Sequence, residues 1–499
     1  MGRSKASRIT FTALLPLLLA TAAAAQSVDG GGVSPAFGSV TTPRPINPAT
    51  GTTNPSARAT QTLNPYLGST SDDKVVEGEI KLSLSDAISR GLRFNLGLID
   101  SEQTDAGVRA EKEHAFAELL PQISARAQQS YEQLSYRELN IKLPSKAGFQ
   151  LPPTSGNFGY SETGIVAESP VLNISLLDKY KRQKALETSS LLSTKDARDV
   201  VVFAVGAAYF QVVASQARLE TAKAALVSAQ ELDRQVADQY KSEVSPEIDS
   251  LRARVERSTA EQRVVDAAND LEKDQLTLDR ITGIPLVQRW TPSHDYGYVP
   301  LLNLGSAESH ASETRYDVAS VKQEVAAAEL GLKAAQAERL PEVSFGASYG
   351  GAGANPANYN QVYAVQGTVS VPIFTSGRIR SDVHAAEAVL VQRRAEYHDL
   401  EGRVDYDVRV AHLDARSSES AVKVAAENRT LAERALTQSE DRYKNGVTNY
   451  LEVLQSQEAL VTADENYIAS LFSFNVAKIA LARALGSAES RLTTFFGPQ

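Results

Sequence analysis

Histidine, cysteine and clustered carboxylates are where hydrolytic, redox or metal chemistry would start, and this chain offers little of it. Its six histidines (His114, His294, His310, His384, His398 and His412) show no HExxH or other ligand spacing, and each reads as a surface or loop residue. No GxSxG elbow occurs, and "GGAGAN" lacks the lysine and following helix of a phosphate loop. There is no cysteine, which removes disulfides, thiolate metal sites, cysteine nucleophiles and lipid attachment at a lipobox. The expectation is no catalytic site, no cofactor and no metal. What recurs instead is a turn: "DQYKSEVSPEIDSLRARVER" from Asp238 to Arg257, and 203 residues later "DRYKNGVTNYLEVLQSQEAL" from Asp441 to Leu460. Both turns sit between long alanine-rich runs, so the question passes to the elements that hold them.

The first 25 residues carry Arg3, Lys5 and Arg8, the apolar run "FTALLPLLLA" and small residues before Gln26, the pattern of a secretory signal peptide (1–25). Losing those three cations moves the net charge from −9 to −12, the wrong sign for a nucleic-acid partner. Residues 26–75 are rich in Gly, Ser, Thr and Pro and read as a disordered or surface-draped segment. Folding is expected to start near "KLSLSDAI", with Ser83 and Asp86 forming a helix N-cap. Beyond the signal peptide no run of about 18 apolar residues appears, so any membrane crossing would have to use β-strands.

Aligned with itself at an offset of 203, the chain pairs Val201 with Val404, Val205 with Val408, Tyr240 with Tyr443, Leu251 with Leu454 and Gly283 with Gly486. Upstream, "LLPQISARAQQSY" resembles "RLPEVSFGASYGG" and "SPVLNISLLDKYK" resembles "VPIFTSGRIRSDV", with 18 extra residues between the prolines of the first copy. The expected class is α+β, two tandem units of helix, strand, strand, long helix, helix. The first unit covers 76–286, with a β-hairpin at about 122–172 and a helical hairpin at about 177–283. A linker at 287–314 leads to the second unit at 315–486, with hairpins at about 342–373 and 378–486, and a tail at 487–499.

Each unit's first helix should end just before Pro121 or Pro341, because proline restricts the residue ahead of it. Val343, Phe345, Ala347 and Tyr349 alternate with Ser344, Gly346, Ser348 and Gly350, which predicts a strand with one apolar face. Tyr131, Tyr136, Phe158, Tyr160, Tyr349, Tyr359 and Tyr363 are expected at strand ends or hairpin tips, as in an interfacial aromatic belt. From Leu177 to Tyr240 a helix would run roughly 95 Å, longer than any monomeric core requires. Its apolar positions, including Val201, Val205, Ala208, Val212 and Leu219, recur at coiled-coil spacing. Four strands cannot close a barrel, so a membrane-spanning sheet implies an oligomer; three copies would supply twelve strands.

In order and duplication these pieces, with "LDRITGIPL" and "TRYDVASVKQEVAAAELGLKAAQAERLPEVSFGASY", resemble the TolC family of outer-membrane efflux channels over about Leu82 to Gly486. The resemblance implies a homotrimer in the outer membrane of a Gram-negative type envelope, a twelve-stranded β-barrel in lipid continued by an α-helical barrel through the periplasm. It implies an exit channel for a tripartite efflux or type I secretion system, docked by a periplasmic adaptor (membrane fusion) protein and fed by an inner-membrane pump of RND, ABC or MFS type. The two turns then lie at the periplasmic tip, where Lys241, Val244, Ser245, Lys444, Gly446, Val447 and Thr448 would meet the adaptor.

The family's gate pattern places its tyrosine at Tyr443, its aspartate at Asp249 and one ring carboxylate at Glu452. Its arginine position reads Thr448 and its second acid reads Gln455, so the cationic partner is missing and a Tyr443 to Asp249 hydrogen bond would carry the closure. Locally, Gly446 lets the chain reverse, Pro246 stands where a second helix could begin, and Ser245 and Thr448 could cap the outgoing helices. The competing reading is a periplasmic coiled-coil adaptor or scaffold without channel activity, against which stands the absence of a compact β-domain between the hairpin arms.

Overall fold

The computed structural model describes residues 64–70, 74–135, 154–243, 245–293, 298–300, 311–486, 488–489 and 496. All of them fall within one compact unit, Thr62–Gln499. The signal peptide, most of the 26–75 segment, Tyr136, Val244, His294 and His310 lie outside the described residues.

In chain order the elements are β1 (Ile80–Leu82), α1 (Leu84–Phe94), α2 (Leu96–Ala117), β2 (Gln122–Glu132), β3 (Phe158–Leu172), α3 (Ile174–Lys241) and α4 (Glu247–Thr282). There follow β4 (Trp290–Pro292), α5 (Ala311–Thr314), α6 (Tyr316–Ala337), β5 (Glu342–Gly353), β6 (Asn360–Ser370), α7 (Arg378–Lys444) and α8 (Tyr450–Ala484). Helices α2 and α6 stop at Ala117 and Ala337, short of the residue before each proline. Tightened turns take over there: the amides of Leu119 and Leu120 reach the carbonyls of Phe116 and Ala117, closing the helix before proline acts. Ser83 caps α1 by accepting from the Asp86 amide at 3.0 Å.

The two hairpins join into one antiparallel sheet in the order β2, β3, β5, β6. Register rows put Ala125, Ile165, Tyr349 and Tyr363 side by side, and Ile123, Ala167, Ala347 and Val365 in the next row of that face. The other face carries Arg126, Gln128, Glu162, Glu168 and Gln366. Where the hairpins meet, Gly164 faces Gly350, and a Cβ on either would collide with its partner's backbone. Tyr349 and Tyr363 face each other inside their strands, so they are not end residues as the belt reading expected; Tyr359, beyond β5, bonds Ser161 and Thr163. Twelve residues of β5 span about 40 Å, or about 30 Å along a barrel axis at ordinary tilt. Ten of the eleven residues of β2 and all eleven of β6 are exposed, so neither face of the edge strands is covered.

The helices continue from the strand ends away from the hairpin connections: α2 leads into β2, β3 into α3, α6 into β5 and β6 into α7. Helix α3 has 68 residues and α7 has 67, each about 100 Å long. Along them α3 packs on α4 and α6, α7 on α8, and α3 meets α8 across the repeats. The recurrent positions Val201, Val205 and Val212, with Val404, Val408 and Val422, are buried in this seam. Against the expectation of no sufficiently apolar stretch, one window of α3 is apolar enough by composition to cross a membrane; half of it is buried among the neighbouring helices, as befits a core helix.

Two further features add to the expected architecture. β1 pairs in parallel with β4, joining Ile80 to Trp290 across 210 residues and placing a strand in the inter-repeat linker. Pro65–Leu67, within the segment expected to be disordered, forms a 3-10 turn, and Tyr66 lies against Gly97 while the Ser69 hydroxyl donates to the Arg280 carbonyl at 2.6 Å. In the tail, Glu489 forms an ion pair with Arg198 at 2.7 Å and Phe496 packs on Phe210.

Candidate functional site

The repeated turns close the far ends of the long helices, and both reverse through a left-handed residue at the same repeat position. In the second, Gly446 is left-handed at φ 70°, its amide donates to the Tyr443 carbonyl at 2.9 Å, and the Val447 amide donates back to the Arg442 carbonyl at 2.9 Å. That is a helix stop of Schellman type, which glycine tolerates without penalty. In the first turn Glu243 occupies the matching position at φ 63°, its amide on the Tyr240 carbonyl at 3.0 Å, while Ser245 donates to the Gln239 carbonyl at 3.4 Å. A side-chain-bearing residue in this conformation costs about 1 kcal/mol, so the geometry is imposed by the helix end rather than chosen by the residue.

This stop moves the next helix one position further than the sequence suggests. Pro246 is itself the N-cap of α4, without a side-chain bond, and Asn449 caps α8, accepting from the Glu452 amide at 3.2 Å. Ser245 and Thr448 each sit one residue too early to cap. The Thr448 hydroxyl instead donates to the Glu452 carboxylate.

Behind the turns the four long helices converge on a small apolar cluster: Leu232 and Val236 from α3, Ala253 from α4, Tyr450 and Val453 from α8, with Leu436 and Tyr443 of α7 against it. The Tyr443 ring meets Tyr450 edge-on at 6.4 Å. Its hydroxyl donates to Gln239 Oε1 at 2.6 Å, tying the end of α7 to the end of α3. Asp249, expected as that partner, pairs instead with Arg252 at 3.4 Å, one turn along its own helix. Burial first, and then the nearby Asp249 charge, raise the Tyr443 pKa, so the phenol remains a donor.

The cation expected to be missing is present from another position. Arg442 Nε stands 3.6 Å from Glu452 Oε1, so Glu452 is flanked by Arg442 and Thr448. Gln455 is exposed on α8. Of the expected docking residues, Val447 is 67% exposed, and Lys241 and Lys444 are exposed beside Asp238 at 3.2 Å and Glu440 at 3.9 Å. These residues, with Gly446, form the outer rim of the turns.

Further along the helices comes a layer of ion pairs that sequence spacing did not reveal. Arg257 reaches Asp233 at 2.9 Å, and Arg263 bridges Glu458 at 3.0 Å and Glu256 at 3.6 Å. Burial and then Glu458 raise the Glu256 pKa. Arg429, which interrupts the alanine pattern, pairs with Asp464 at 2.6 Å. Of the histidines, His114, His384 and His398 are exposed on helices, whereas His412 is half-buried in α7 and departs from the surface reading. Among the described residues no three His, Asp or Glu side chains converge as a metal site.

Residues 308–487 match the family model described as Outer membrane efflux protein. The Pyoverdine export outer membrane protein OpmQ of Pseudomonas putida is 23% identical over 317 residues, 61% of this chain and 66% of that protein. The Solvent efflux pump outer membrane protein SrpC of Pseudomonas putida is 26% identical over 336 residues, covering 62% of this chain and 68% of its own. Among solved structures, a membrane protein from Pseudomonas aeruginosa superposes with a TM-score of 0.72 at 18% identity, over 84% of this chain and 95% of that one. The outer membrane protein VceC from Vibrio cholerae does so with a TM-score of 0.68 at 18% identity, over 81% and 97%. The fold described above is the fold of these proteins.

Proposed function

We propose that this chain, which is related to the outer membrane efflux proteins and has the fold of the TolC-like channels, is the outer-membrane exit channel of a tripartite efflux or type I secretion system. In this reading it is a passive homotrimeric duct: three four-stranded sheets close a twelve-stranded barrel in lipid, and the long helices continue it through the periplasm. A periplasmic adaptor docks on the rim formed by Lys241, Ser245, Lys444, Gly446, Val447 and Thr448, with Val244 between them in sequence, and an inner-membrane pump supplies the energy. Tyr443, Asp249 and Glu452 belong to the gate at the tip, with Gln239 and Arg442 as their partners.

The observation that carries this reading is the bare sheet. An isolated four-stranded sheet with both edges unpaired and both faces open would aggregate in water. Its alternation of an apolar face with a face bearing Arg126, Glu162 and Glu168 suits lipid on one side and a wet lumen on the other. Closure by β2 of one copy against β6 of the next keeps the strands antiparallel and removes every edge. The helices support the same ring, since α4 exposes Leu251, Val255 and Val265, and α7 exposes Tyr406, Leu413, Val424 and Leu431. Four strands per copy give eight from two copies, a bore filled by side chains, and twelve from three, a bore with room for cargo.

Detergent extraction from outer membranes followed by reconstitution in a planar bilayer tests the reading. The expected result is a heat-modifiable trimer with ohmic conductance. A soluble periplasmic monomer without conductance would support the scaffold reading instead.

A further inference from the structure

Among the described residues the Tyr450 hydroxyl, like Arg257 Nε, is a buried polar atom at the tip without a hydrogen-bond partner. Tyr450, the first residue of α8, is 1% exposed and belongs to the apolar cluster of Leu232, Val236, Ala253 and Val453. Its hydroxyl is buried and has no hydrogen-bond partner among the described residues. The same fold satisfies a tyrosine elsewhere: Tyr209, equally buried, donates to the Leu82 carbonyl at 2.9 Å.

The carboxylates whose charges reach Tyr450 each pair with an arginine. Asp233 is held by Arg257 at 2.9 Å, Asp249 by Arg252 at 3.4 Å, and Glu256 by Arg263 at 3.6 Å. Burial and the charges of Glu256, Asp233 and Asp249 raise the phenol's pKa, so it stays protonated and remains a donor. The hydroxyl is enclosed by helices of its own chain, so a neighbouring copy cannot supply an acceptor unless those helices part. A buried donor that has given up water and found no partner destabilises the state that buries it.

We infer that Tyr450 is a positioning residue that biases the tip toward opening: its hydroxyl is unsatisfied while α3, α4 and α8 are together and gains water or a carboxylate when they separate. The inference rests on reading the tip as the gate. The closed state is then held by Tyr443 with Gln239 and opposed by Tyr450, two tyrosines in edge contact with opposite effects.

Hydrogen–deuterium exchange of the full-length detergent-extracted protein separates these roles. In Tyr450→Phe, amides of segments 229–257 and 439–458 should exchange about tenfold more slowly than in the unsubstituted protein, with the sheet unchanged; tenfold corresponds to about 1.4 kcal/mol. Open events in a planar bilayer should become rarer. A merely structural hydroxyl would give the opposite sign, so unchanged or faster exchange overturns the inference. Failure of the variant to assemble also overturns it, because losing one oxygen can be that harmful only if the hydroxyl has an acceptor. Slower exchange combined with unaltered conductance in Tyr443→Phe would keep the Tyr450 hydroxyl as a destabilising group but overturn the tip as the gate, and with it the role of Tyr450 in opening.

Discussion

The hydrogen bond between Tyr443 and Gln239 is the contact whose removal should do most to the tip. At 2.6 Å and half-buried it is well formed, and it joins the ends of α7 and α3, which no backbone bond connects. Tyr443→Phe keeps the ring and its packing on Tyr450 and deletes only the bond, at about 0.5–1.5 kcal/mol per subunit. If three tips must part together, the closed state loses about 1.5–4.5 kcal/mol, raising the open population about tenfold to about two-thousandfold. Planar-bilayer recordings of Tyr443→Phe, Gln239→Leu and the double variant form a thermodynamic cycle. Both single variants break the same bond, so the double should open little more than either, leaving a coupling of about 1 kcal/mol per subunit. Asp249→Asn should have a smaller effect, since that carboxylate faces Arg252. Additive single effects, or an Asp249→Asn phenotype equal to that of Tyr443→Phe, would refute the assignment of Gln239 as the working partner.

Two other outcomes follow from the same geometry. Glu243→Gly should stabilise the first tip turn by about 1 kcal/mol, because glycine adopts the left-handed conformation without steric cost; amide exchange near 239–246 reads this as slowing. Burial raises the pKa of Asp279 to about 7, against the opposing hydrogen bond from the Trp290 indole at 2.7 Å. The folded state then binds that proton more tightly than the unfolded chain, so this group's contribution to stability falls as pH rises from about 4 through about 7. Asp279→Asn should therefore melt higher than the unsubstituted protein at pH 8, by an amount on the order of 2 kcal/mol, and the difference should shrink at pH 5.

The architecture was legible wherever periodicity or duplication carried it. Val201 and Val404 share a place in the seam because a two-residue-type pattern repeated over dozens of residues survives any local exception. The alternation around Tyr349 fixed a strand and its faces, but its row was set by pairing with Ile165 and Tyr363, which spacing along one strand does not encode. At the tip, Gly446 announced its turn by residue type, whereas Glu243 did not, since its left-handed backbone is forced by the preceding helix. Gln239 escaped for a related reason. Repeat symmetry pairs Tyr443 with Tyr240, but the partner of its hydroxyl is decided by the rotation of α3 against α7, a tertiary property. Arg442 is likewise adjacent in sequence to Tyr443 and reaches Glu452 only because the turn folds α8 back beside it. The β1 and β4 pairing joins three-residue strands 210 residues apart, too short to show a period.

Cross-linking at the sheet edges tests the proposed channel most directly, and the chain contains no cysteine to complicate it. Cysteine replacing Ala125 on β2 can be combined in turn with cysteine replacing Val365, Gly367 or Val369 on β6, all on the same face of the sheet. Closure by neighbouring copies should give, for at least one pair, oxidised ladders of two and three linked chains ending at three, recovered from outer membranes. Cross-links absent from every pair, or ladders running beyond three chains, would contradict the trimeric barrel.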